Sequence, residues 1–185
     1  QAAEAADDPP AQAWAYTARA FPMIAKGEFA QALPWLERAV QLCETKSVLL
    51  CLPTAYVTAG LALAWLNRTI EGLSYLERGV TASESIGTKF YLSLSYLAWA
   101  EGLLLAGNIQ DAKRTAEKAL ELAVVSGERG NEAGILRLLA EISASEAPPA
   151  LEPAVSFYER AKALAGELGM RPLVAHCHLG LGKLY

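Results

Sequence analysis

The sequence predicts an all-helical fold, an array of antiparallel helix pairs about four and a half repeats long. Three observations carry this. The hexamers WLERAV (35–40), YLERGV (75–80), TAEKAL (115–120) and FYERAK (157–162) recur at offsets of 40, 40 and 42 residues. Gly87, Gly127 and Gly169 each follow an apolar stretch and keep the later steps of that rhythm, where a glycine readily stops a helix. Small residues also recur in matching places: Ala32, Gly72, Ala112 and Ala154, and seven residues later Ala39, Gly79, Ala119 and Ala161. Residues seven apart lie two turns along one helix face, so these pairs form a seam against a neighbouring helix.

Each period contains two helices. In the first three copies the break between them falls at Gly27, at Asn67, and at Gly107 with Asn108, residues suited to tight turns. The fourth copy replaces this break with SEAPPALEP, two residues longer, which accounts for the 42-residue step. Pro148 and Pro149 end one helix there, and Pro153 suits the first turn of the next. The predicted repeats span about 14–46, 47–86, 87–127 and 128–168, with a half repeat over 169–185. Residues 1–13 read as a flexible tail or linker.

Composition bounds the function. With 53% hydrophobic and 19% charged residues among 185, the chain has material for a sizeable core. A net charge of -4 without a basic run offers no grip on a phosphate backbone, so direct nucleic-acid binding is not expected. Three cysteines, Cys43, Cys51 and Cys177, are too few for a disulfide scaffold, and a reducing cytoplasm fits them. The opening QAAEAADDPPAQ has no signal-peptide pattern, and the chain reads as an excised piece of something longer. Val48 to Asn67 is uncharged and near the length of a spanning helix, but Pro53, Thr54, Thr58 and Asn67 dilute it and its sister copies carry charge. No membrane span is expected.

On these residues the chain resembles the tetratricopeptide repeat (TPR) family. The second copy shows Tyr56, Ala59, Gly60 and Leu63, then Gly72, Leu76 and Gly79; the third shows Tyr96, Trp99, Ala100 and Leu103, then Ala112, Ala116 and Ala119. His178, Leu181, Gly182 and Tyr185 match a first helix whose partner is missing. The resemblance implies a right-handed superhelix whose first helices line the concave surface. The period near 40 departs from the family's usual length of about 34, so each helix should be longer by nearly a turn. Arg19 and Glu141 stand where the family prefers apolar residues, which leaves the phase of the first and fourth copies open by a residue or more. The long repeat and the ending GELGMRPLVAHCHLGLGKLY resemble the C-terminal repeat region of large bacterial signalling proteins that join a signalling ATPase to a nucleotide cyclase or DNA-binding output.

No motif points to catalysis. His176, Cys177 and His178 are metal-binding residue types, but histidines two apart on a helix point about 200° apart, and a ligand pair needs a spacing of three or four. Cys43 and Cys51 have no second pair and read as ordinary thiols. HLGLGKLY lacks the first glycine and the hydroxyl residue of a phosphate loop, so Gly180 and Gly182 read as close-packing positions. The pairs Glu37 and Arg38, Glu77 and Arg78, Glu117 and Lys118, and Glu159 and Arg160 read as a solvated outer face. The chain is predicted to be no enzyme and to need no cofactor or metal.

The resemblance places three rows on the concave surface. One holds Thr54, Leu94, Leu136 and His176; the next Val57, Leu97, Leu139 and Leu179; the third Leu61, Glu101, Ser143 and Lys183. The middle row is wholly apolar. It fits either a groove for a partner or an interior filled by tight curling of the array. The unpaired last helix leaves a face for a homodimer contact through the uncapped C-terminal end. The leading expectation is a protein- or peptide-binding module of a bacterial signalling protein; a small-ligand sensor with an apolar interior pocket and an architectural oligomerisation element are the alternatives.

Overall fold

A computed structural model of the protein describes residues 8–87 and 91–184. Residues 1–7, most of the predicted tail, lie outside it, as does Tyr185 of the predicted last signature. The described residues form α1 (Pro9–Ala25), α2 (Phe29–Lys46), α3 (Leu52–Trp65), α4 (Thr69–Ser85), α5 (Leu92–Leu105), α6 (Ile109–Ser126), α7 (Arg129–Ala144), α8 (Leu151–Glu167) and α9 (Arg171–Leu184). Among them there is no strand. α1 opens inside the predicted tail. The Asp8 carboxylate accepts from the Ala11 N–H at 3.3 Å, and Pro9 and Pro10 occupy the first turn, where no N–H is missed.

The pairing is α1 with α2, α3 with α4, α5 with α6 and α7 with α8, leaving α9 without a second helix. First helices also pack on the first helices of neighbouring pairs, from α1 to α3, α5, α7 and α9 in succession, whereas the described second helices stand further apart and meet one another through long side chains. Closer spacing on one side curves the array, so α3, α5, α7 and α9 line its inner face.

The repeat is written in the packing of the hexamers. Their second residues (Leu36, Leu76, Ala116, Tyr158) and fifth residues (Ala39, Gly79, Ala119, Ala161) are all buried, while the acid-base pair between them is exposed. α3 and α5, each 14 residues, are enclosed by their own second helix, the preceding one and adjacent first helices, and are apolar on nearly every side. This enclosure explains the charge-free run from Val48 to Asn67. Its helical part is too short for a bilayer, which needs about 20 residues, and no described helix is long and apolar enough to cross one.

The turns repeat as faithfully as the core. Gly27, Asn67 and Gly107 take left-handed backbone (φ 76°, 61° and 78°), and the next residue donates its N–H five positions back: Glu28 to Met23, Arg68 to Leu63 and Asn108 to Leu103, at 2.8, 2.9 and 2.9 Å. Between repeats Gly87, Gly127 and Gly169 are left-handed, and Ser47 takes the same conformation (φ 54°), completing a series that glycine alone does not reveal. In the fourth copy the longer SEAPPALEP turn is closed by the Ala150 N–H donating to the Ser143 carbonyl at 3.0 Å.

At the seam, α3 and α4 meet backbone to backbone. A Cβ added to Gly72 would stand 2.7 Å from the Gly60 carbonyl oxygen, and one added to Gly60 would stand 2.8 Å from that of Gly72. Gly180 is likewise a packing position, covered by the Tyr158 ring of α8. Gly182 corrects the expectation, since a Cβ there meets nothing within 4 Å. Arg19, which departs from the family's apolar preference, lays its guanidinium over Trp35, 4.0 Å from the ring centre.

The outer acid-base pairs are exposed, as a solvated face requires, but Arg78 and Lys118 also reach across to neighbouring repeats. Arg78 donates to Glu44 at 2.7 Å and to the Tyr56 hydroxyl, while Tyr56 also donates to Glu44. Forty residues on, Lys118, Glu84 and Tyr96 repeat the arrangement, with the Tyr96 hydroxyl 2.6 Å and the Lys118 ammonium 3.3 Å from the Glu84 carboxylate. Each cluster ties two consecutive repeats together. The tyrosine donors, and then the cations, hold Glu44 and Glu84 below the ordinary glutamate value of 4.5, against a desolvation that pushes the other way.

A carboxyl depressed in the folded state stabilises the fold above its unfolded value, and that contribution is lost as pH falls through the folded value. Stability should therefore decline on acidification below about pH 4.5, and the double variant Glu44→Gln/Glu84→Gln should show a shallower decline. The groups are roughly half exposed, so each cluster should contribute about 0.2–1 kcal/mol and respond to salt. Urea midpoints measured from about pH 3 to about pH 7, a span that covers carboxylate titration, check this. Parallel curves for the two proteins would refute it.

Candidate functional site on the inner face

Carrying the 42-residue step from α5 to α7 predicts Leu136, Leu139 and Ser143 on the inner face, and the structure corrects this. All three are buried, Leu139 at 2% exposure. The two extra residues lie in the turn after α7, so α7 keeps the 40-residue step, and Gly134, Arg137 and Glu141 take the open positions. Gly134 sits beside Leu97, whose Cδ2 would be 3.6 Å from a Cβ built on it. Val57 is a second correction. At 6% exposure it is wedged against Gly79 and packs with Leu76 and Ala98.

The remaining predicted residues are not enclosed in the core. Thr54, Leu61 and Leu97 are half-buried, and Leu94, His176, Leu179 and Lys183 are exposed. The middle row is therefore not an apolar stripe: Arg137 takes the place expected for Leu139. Glu101 and His176 come together in one depression, and His176, Leu179 and Lys183 in a recess beside it.

That depression encloses about 650 Å³. Its floor and walls come from Trp65 at the end of α3, Glu101, Leu104 and Leu105 of α5, Arg137 and Glu141 of α7, and Met170, Pro172, Leu173 and His176 around the start of α9. An adjoining recess of about 450 Å³ shares Glu141 and His176 and continues past Leu179 to Lys183. Trp65 and Leu105 were not among the predicted residues, although each lies one turn beyond one of them, Leu61 and Glu101.

The polar groups of the depression are few. Trp65 Nε1 donates to Glu101 Oε1 at 3.0 Å, and the indole is stacked on Phe29 with ring centres 5.5 Å apart. Arg137 pairs with Glu141 one turn away. Desolvation pushes the Glu101 carboxyl up, with a smaller push from Glu141, while Arg137 and the Trp65 N–H pull it down. A desolvated acid in an apolar depression is suited to binding a complementary group.

Elsewhere, the Cys43 and Cys51 thiols lie against each other in the core, with Thr17 Oγ1 3.7 Å from the Cys51 sulfur. The contact and burial push the Cys43 thiol up, away from nucleophilic reactivity. His176 and His178 are exposed and Cys177 is buried between them, and no group of three or more metal-binding side chains converges among the described residues.

No protein-family model and no curated protein matches the sequence. Solved structures do match in shape. A Signal Transduction ATPase with Numerous Domains protein with a tetratricopeptide repeat sensor, from Pyrococcus horikoshii, superposes with a TM-score of 0.75 at 16% identity over 96% of this chain, which spans 28% of that protein's chain. Structures described as kinesin light chain nearly identical TPR-like repeats, from Podosopora anserina, give a TM-score of 0.70 at 16% identity over 95% of this chain and 86% of that one. A variant of the same protein gives 0.71 at 15% identity over 96% and 87%. At such identities the likeness concerns the fold, and with the period, turns and seam described above it identifies this chain as a tetratricopeptide-repeat-like helical superhelix.

Proposed function

We propose that the chain is a non-catalytic binding module that holds a protein or peptide segment along its inner face and, within a larger bacterial signalling protein of the cytoplasm, couples that binding to an output elsewhere. The observation that carries this is the inner depression itself. It is open, continuous with a second recess, and walled by exposed large apolar residues, Trp65 and Leu105, around a few polar groups. The P. horikoshii neighbour, a signalling ATPase with a TPR sensor, supports the setting by analogy of fold. Self-association through the end of the array is the weaker reading, because among the described residues of α9 Leu179 is the large apolar side chain that stands exposed.

Selection of a random peptide library on the protein, repeated on the charge-neutral variant Leu105→Ser, tests the proposal. Binders of the wild type should lose at least tenfold in affinity, about 1.4 kcal/mol, on the variant. Its melting should change little, as exposed substitutions cost about 0.5 kcal/mol or less. Equal binding to both proteins would move the site off the inner face. The depression also falls within the roughly 300–1,000 Å³ range of small-ligand sites. Stabilisation by small metabolites with no peptide binding at all would favour the sensor reading instead.

A further inference from the structure

We propose that the depression takes a cationic side chain, the ammonium of a lysine or the guanidinium of an arginine, from the bound peptide, with Glu101 as its counter-ion and Trp65 as its flanking ring. The inference rests on the peptide-binding reading above and names the chemistry of one subsite within it.

The charges of the depression do not cancel. Arg137 and Glu141 are paired with each other one turn apart on α7. Glu101 lies across from them on α5, and the hydrogen bond its carboxylate accepts from a side chain comes from an uncharged indole N–H. The formal balance of the three is one negative charge, held where the walls exclude much of the water that would otherwise solvate it. Desolvation disfavours the charged form of Glu101 by more than the nearby Arg137 favours it, and an incoming cation would offset that penalty.

The shape fits the same class of group. Leu104 and Leu105 follow Glu101 by one turn on α5 and offer apolar surface to the methylenes of a long basic side chain, whose charged end would reach the carboxylate. Trp65, 44% exposed and fixed by its stacking on Phe29 and its bond to Glu101, adds an aromatic ring beside the cation. An acidic ligand would meet two carboxylates and an arginine already paired.

The test uses dodecapeptides selected on the wild-type protein. Selected binders should contain lysine or arginine, and replacing that residue by norleucine or citrulline should weaken binding at least tenfold. On Glu101→Gln, which removes the desolvated charge and should keep or raise the melting temperature, the lysine and norleucine peptides should bind within about twofold of each other, a small difference on the affinity scale. Equal affinity of the two peptides for the wild type, or selection of acidic peptides, would overturn the inference while leaving peptide binding intact. Absence of any inner-face peptide would overturn both. Binding of N-acetyl-lysine methylamide as tight as that of the peptide would overturn the peptide as the occupant.

Discussion

Gly72→Val should destabilise the protein by about 3 kcal/mol, the upper end of what overpacking usually costs. The valine Cβ would stand 2.7 Å from the Gly60 carbonyl oxygen and 2.9 Å from the Ala64 nitrogen, and neither is the far end of a flexible side chain that could turn aside. The α3 and α4 backbones must move apart to admit it. Every other copy has alanine at both matching places, Ala20 with Ala32, Ala100 with Ala112, and Ala140 with Ala154, so the fold also permits a wider spacing. This gives the prediction a second edge. In a cycle of Gly60→Ala and Gly72→Ala, the second substitution should cost less than the first, because one separation relieves both clashes. Because an array couples mainly through neighbouring repeats, a weakened α3 and α4 should also broaden the urea transition as the two ends uncouple. Additive single costs with a sharp transition would refute the close approach.

The row predicted from sequence as one apolar stripe should divide into two kinds of residue under alanine substitution. Leu139→Ala should cost about 2–5 kcal/mol, as truncation of a fully enclosed leucine does, because Leu139 packs in the core with Ile135, Leu138 and Ile142. Leu179→Ala should cost about 0.5 kcal/mol or less, since Leu179 is 58% exposed on α9. Urea denaturation of the two variants measures the difference directly. Similar losses in both would mean that α7 presents Leu139, rather than Arg137, to the inner face.

Much of the fold was legible in the chain because repetition is a sequence property. The hexamers announce buried second and fifth positions, the glycines announce left-handed turns, and both count out the same period. The site was less legible. A helix rotates by about 100° per residue, so the two-residue error at α7 turned three predicted surface residues into the core and hid Arg137 and Glu141. The inter-repeat clusters were legible in principle, since Glu44 and Glu84, Tyr56 and Tyr96, and Arg78 and Lys118 each stand forty apart. Read as adjacent pairs along one helix, the basic residues look merely solvated, because their partners lie in other helices.

The sequence by itself determined the class of fold, the pairing of helices, the turns marked by glycine or asparagine, and the seam of small residues between paired helices. These depend on local periodicity, and local periodicity survives in one dimension. The tertiary structure alone decided which inner residues are open, that Glu101 lies desolvated beside Trp65, and that Arg137 is already paired. Those facts depend on rotation about each helix axis and on the curvature that brings the end of α3 near the start of α9, which no spacing along the chain encodes.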